Sequence, residues 1–207
     1  MDLDLIDYHE AAHSVVANVF GWACGPVTVA GGSKWAGCSL AAPPLVVCGA
    51  FDADQPFCTW PPTLQHRIET DVIMRAAGDV AERLLWAPPL GRGPEPVIAV
   101  AAELAGALEL AGAPPDEAEQ RWAAAAVEDA AMPSDAERIA EAARCAFVGD
   151  PAGCAAWLLY LERQCEQLVI RHSGQIRRLA AHLHERQVLS GDQVQALLKQ
   201  RATLAAV

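Results

Sequence analysis

Apolar residues recur at three- and four-residue steps over most of this chain, the spacing that turns one face of a helix toward a core. Between Leu3 and Phe20 they are Leu5, Tyr8, Ala12, Val15, Val16 and Val19, and Gly21 follows as a C-terminal stop. From Thr63 to Trp86 the same steps carry Leu64, Ile68, Val72, Ile73, Ala76, Val80 and Leu84, until Pro88-Pro89 ends the run. Ala-rich helical segments are expected around 97–112 and 116–131. Ser134 with Glu137 three residues later is the signature of a capping box and opens a helix through about Phe147. Helices over about 152–173 and 173–187 follow, and Ser190-Gly191-Asp192-Gln193 caps a short last one containing Val194, Leu197 and Leu198.

Strand signals are few. Pro26-Val27-Thr28-Val29-Ala30 runs into the turn Gly31-Gly32, and Gly37-Cys38-Ser39-Leu40 is a candidate returning partner. Residues 41–63 hold Pro43-Pro44 and Pro61-Pro62, show no period, and are expected to be a surface loop, as are Pro88–Pro96. The pattern therefore predicts a mainly α chain with one small β element. With 207 residues and 53% hydrophobic content it is long enough for one substantial core, and a single domain over 1–207 is expected.

Charge narrows the partners. A net charge of −11 argues against nucleic acid and anionic membranes, which both require clustered cations. The longest apolar stretch, Val97 to Ala113, is broken by Glu103 and Glu109, so no membrane span is expected. Seven cysteines without a C-x-x-C pair indicate neither a disulfide framework nor a Cys-type zinc site. Cys48, Asp52, Asp54 and Cys58 fit no familiar ligand spacing and are expected to be scattered loop residues. The acidic Met1-Asp2-Leu3-Asp4 start is unlike a signal peptide, and a cytoplasmic location is expected.

The chemistry concentrates at Tyr8-His9-Glu10-Ala11-Ala12-His13, an H-E-x-x-H motif on the first predicted helix. Residues four apart on a helix share a face, so His9 and His13 can each point a ring nitrogen at one ion. Glu10 sits beside them, where its carboxylate can take a proton from a water on the open position of Zn²⁺. Two histidines on a half-buried face are also compatible with structural roles, hydrogen-bonded within the core. A catalytic zinc needs a third protein ligand. No third His follows at the short metzincin spacing and no Glu-rich helix follows at the thermolysin-like one. His66, His172, His182 and His184 lie in segments where exposed or interhelical roles explain them. Asp135 opens the helix capped by Ser134, where an acid also complements the helix dipole.

Five ordered segments resemble the peptidase domain of the FtsH-type ATP-dependent zinc proteases. Asp7 to Val16 looks like the metal helix of that family, and Val27-Thr28-Val29 is similar to the strand after it. Arg75-Ala76-Ala77-Gly78-Asp79-Val80-Ala81-Glu82 resembles its Gly-Arg-Ala-Ala-Glu helix, and Ser134-Asp135 through Arg144 resembles the helix whose opening Asp completes the zinc site. Leu179 through Val194 is similar to the C-terminal leucine-and-Glu pattern. Ala12 stands where that motif usually has Gly, and Ala30-Gly31-Gly32 replaces the expected Pro-Arg-Gly. The chain carries no G-x-x-x-x-G-K-[ST] phosphate loop.

The resemblance implies a helical, zincin-like peptidase domain with His9, His13 and Asp135 as zinc ligands and Glu10 as general base. Its substrate would be a peptide or unfolded protein laid along the strand around Val27 to Ala30. A separate ATPase and a homo-oligomer are further partners that this reading leaves open. The residues are also compatible with two other classes. One is a catalytically degenerate peptidase fold serving as a regulatory or assembly partner, and the other is a helical scaffold with structural histidines.

Overall fold

Helices make up most of the residues described by the computed structural model, which are 3–30, 37–40, 56–86, 96–110 and 134–200. The expected helix over 116–131, the loop residues 41–55 and the loop 87–95 lie outside them. The elements run α1 (Leu5–Val19), β1 (Cys24–Thr28), β2 (Gly37–Leu40), a 3₁₀ turn (Phe57–Thr59), α2 (Pro62–Leu85), α3 (Val97–Leu110), α4 (Asp135–Ala146), α5 (Pro151–Arg171), α6 (Ser173–Arg186), β3 (Val188–Leu189) and α7 (Gly191–Lys199). They form two compact units, the first from residues 1–42, 77–94 and 164–207 and the second from 43–76 and 95–163.

In the first unit α1 packs against α6 and the sheet, and α7 packs on β1. Ala11, Ala12, Val15, Val16 and Ala17 of α1 are buried with Ile176, Leu179 and Leu183 of α6. The small residues let the helix lie among its neighbours on more than one side, which a single apolar stripe does not require. Gly21 ends α1 at a φ of 77°. Its N–H donates to the Asn18 carbonyl at 3.0 Å and the Trp22 N–H to the Ala17 carbonyl at 2.9 Å, so two orphan carbonyls are satisfied by a Schellman turn.

The sheet is three-stranded and antiparallel, in the order β2-β1-β3. Val27 is buried between Cys38 and Leu189 as its register partners, and the β1–β2 ladder is irregular between Cys24 and Val27, where Pro26 has no N–H to give. The observed strand thus starts and ends two residues before the expected one. Gln187, at a φ of 62°, turns the chain out of α6, and its carbonyl accepts from the Val29 N–H at 2.9 Å.

In the second unit α3 packs on α4, burying Ile98, Ala101 and Ala105 with Ile139, Ala140 and Ala143. Phe57 meets Trp60, Phe147 and Trp157 with ring centroids 5.3, 5.6 and 5.5 Å apart, the separation of favourable aromatic pairs. Gln65 Nε2 fastens the 3₁₀ turn by donating to the carbonyls of Phe57 and Trp60 at 3.0 and 2.8 Å. Both predicted capping boxes form: the Glu137 N–H donates to Ser134 Oγ and the Gln193 N–H to Ser190 Oγ, each at 3.3 Å, with the return bonds present. Among the described residues no helix is long and apolar enough to cross a membrane. Among the described cysteines Cys24, Cys145, Cys154 and Cys165 are buried and Cys58 is exposed, all free thiols.

Candidate metal centre

The H-E-x-x-H residues occupy the middle of α1, where the helix is buried along most of its surface. His9 and His13 stack one turn apart with ring centroids 4.6 Å apart and planes at 77°. His13 is buried and His9 half-buried. Glu10 is 4% exposed, and its Oε2 lies out of contact with solvent. Taking a carboxylate out of water is costly, so a buried Glu at this point of the helix is a costly choice for a plain core position. Ser14, at the next turn, returns its hydroxyl to the Glu10 carbonyl at 3.0 Å.

The second half of α2 supplies what holds His9. Its Nδ1 lies 2.7 Å from Glu82 Oε1, and the Glu82 side chain is largely buried. A carboxylate can only accept in this bond, so Nδ1 is the donor, and in the neutral imidazole Nε2 is then the nitrogen that carries the lone pair. Metal-binding histidines are commonly oriented by such a carboxylate partner. Gly78, one turn before Glu82, backs the same ring: a Cβ added there would come within 2.5 Å of His9 Cε1 and Nε2. The glycine is needed for this close approach, which justifies a residue that costs a helix interior about 1 kcal/mol.

Sequence reading gave neither Gly78 nor Glu82 a role toward His9. The available signal was a lone Gly inside a strongly periodic helix with a Glu four residues later on the same face. Asp79, the residue after Gly78, is instead paired along the helix with Arg83 at 3.0 Å.

Asp135 belongs to the second unit, at the first residue of α4. There Arg75 Nη1 approaches its Oδ1 at 3.4 Å, while Arg75 Nε donates to Asp71 Oδ2 at 2.9 Å. Burial lowers the pKa of nearby Arg138 and the Arg75 charge lowers it further, with Asp135 and Asp71 acting the other way. Two acids and two arginines thus meet at the N-terminus of α4, and Asp135 has electrostatic company besides the helix dipole.

The remaining histidines have ordinary settings. His66 is exposed and His182 half-buried. His172 Nδ1 pairs with Gln175 Oε1 at 2.7 Å. His184 Nδ1 lies 2.9 Å from Asp7 Oδ2, and the ligand atoms of Asp4, Asp7 and His184 lie within 4.8 Å of one another. Asp7 also accepts from the Asp4 N–H at 2.9 Å, so this group is explained as the capped start of α1 tied to the last turn of α6. Of the sequence candidates near 48–58, only Cys58 is described, and it is exposed. No protein-family model matches the chain, and no curated protein is significantly similar to it.

Proposed function

We propose that this protein is a zinc-dependent endopeptidase of the FtsH type, helical and zincin-like in fold, acting in the cytosol on peptides and unfolded or flexible proteins. The observation that carries the reading is the His9–Glu82 pair beside His13 and the buried Glu10. Two imidazoles one helical turn apart, one of them with its tautomer fixed by a carboxylate, are a donor set suited to Zn²⁺. His9 and His13 would hold the ion, with Asp135 as the third ligand that the family resemblance supplies. Zinc bound there would provide a Lewis acid for the scissile carbonyl and bring the pKa of water down to about 7.

The protein groups divide the rest of the work. Glu10 takes the proton of the attacking water and returns it to the leaving amine. Glu82 holds the His9 ring through its Nδ1. The substrate does not add to the strand at Val27 to Ala30 as the sequence led one to expect, because Val27 and Thr28 are paired to β2 on one side and to β3 on the other and the Val29 N–H is given to Gln187.

These 207 residues carry no phosphate loop, so by themselves they would act on substrates that are already open. Unfolding a typical domain costs about 5–15 kcal/mol, which leaves a very small open fraction for a protease with no motor. Incubation with an unstructured protein and a tightly folded one, without nucleotide and with or without a chelator, tests the reading. Chelator-sensitive digestion of the unstructured protein alone is expected. Equal digestion of both contradicts the dependence on open substrates, and digestion of neither contradicts the peptidase reading.

A further inference from the structure

The chain has 26 acidic residues against 15 basic ones, yet three of its cations line a single cavity whose described wall contains no carboxylate. The cavity, about 450 Å³, lies in the first unit where α5 ends, α6 begins and α7 ends. Arg171, Arg178 and Lys199 supply the charge, and Gln175, Gly174 and Leu198 are among the other walls. Arg171 and Lys199 sit in the last turns of their helices, where a cation complements the dipole. That role accounts for one cation at each helix end. It does not account for three converging on one concavity, where their mutual repulsion has to be offset.

We propose that this cavity binds a small phosphate monoester, with the phosphate held by Arg171, Arg178 and Lys199. The polar wall is already fixed. Gln175 Nε2 donates to the Leu198 carbonyl at 3.3 Å, its Oε1 accepts from His172, and Arg178 Nη2 donates to the Gln200 carbonyl at 3.3 Å. Arg178 is therefore anchored by one end of its fork. Gly174 leaves room at the other: even a Cβ built there would be 3.9 Å from Nη1. An anchored guanidinium with two further cations matches a tetrahedral dianion, whose several acceptor oxygens use planar and point charges together.

Size decides the rest of the ligand. The cavity is in the range of small-molecule sites, about 300–1,000 Å³, and far exceeds what a bare phosphate would fill.

Calorimetric titration of the whole chain with inorganic phosphate and with adenosine monophosphate, at ionic strength matched with chloride, tests the proposal. Both should bind, the monophosphate more tightly, and the Arg171→Ala/Lys199→Ala double variant should lose about tenfold in affinity per cation removed. This variant removes two exposed side chains, and its helicity and melting temperature provide the folding check. Absence of binding by the wild type, wild-type affinity in the folded double variant, or tighter binding of inorganic phosphate than of the monophosphate would each overturn it. Zinc binding does not enter the readout.

Discussion

His9 and Asp135 are both candidate ligands on helices, yet their surroundings differ in kind. His9 is set against α2 by a glycine that leaves space for its ring and by Glu82 on its Nδ1, contacts that a simple core histidine would not need. Asp135 stands at the capped, partly exposed start of α4, and the dipole and Arg75 give it reasons to be there without any metal. A feature that the ordinary physics of helix ends explains says little about chemistry. A buried acid and an oriented imidazole say more, because burial and orientation have costs that only a function or a network offsets.

The largest expected effect tests the weaker member of this comparison. Asp135→Asn should strip most zinc binding if the carboxylate is a ligand, because the substituted amide is a neutral and poor donor. If Asp135 only complements the helix, the variant should keep its zinc and lose about 0.3–1 kcal/mol of stability. Chelator competition and thermal denaturation on the same preparation separate the two results.

Glu82→Gln should act less strongly, since it leaves all ligands in place and alters only the orientation and basicity of His9. Zinc affinity is expected to fall by about 10–100-fold, the usual effect of losing a partner behind a metal-bound histidine. An unchanged affinity would make Glu82 an ordinary ion-pair partner.

Gly78→Ala should have the smallest effect on metal per unit of chemistry changed, because it adds one methyl and removes no polar group. Overpacking of this kind costs about 1–3 kcal/mol. The His9 ring must move to admit the Cβ, so zinc affinity should drop together with the melting temperature. A fully stable variant with wild-type affinity would show that the approach of α2 to His9 is looser than described.

Much of the local structure was legible because it depends on residues close in sequence. The Ser134–Glu137 and Ser190–Gln193 boxes, the Gly21 stop and the period of α1 and α2 each need only a few neighbouring positions. β3 was missed for the opposite reason: Val188–Leu189 is too short to alternate, and it exists as a strand only because β1 is there to pair with it. Pro26 shifted the expected bounds of β1, since it looks like a strand start from sequence but sits inside an irregular part of the ladder.

The site divides along the same line. His9, Glu10 and His13 announce themselves through i,i+4 spacing, whereas Glu82 lies 73 residues from His9 and joins it only through packing of α2 on α1. Gly78 carried a signal that could have been used, a costly residue in the middle of a good helix.

The most direct measurement compares wild type with Glu10→Gln for zinc content and for digestion of an unstructured protein. Glu10 is the proton carrier and not a ligand in this account. Both proteins should therefore retain about one zinc per chain while only the wild type cleaves. A Glu10→Gln protein that cleaves at the wild-type rate, or a wild type that takes up no zinc, would contradict it.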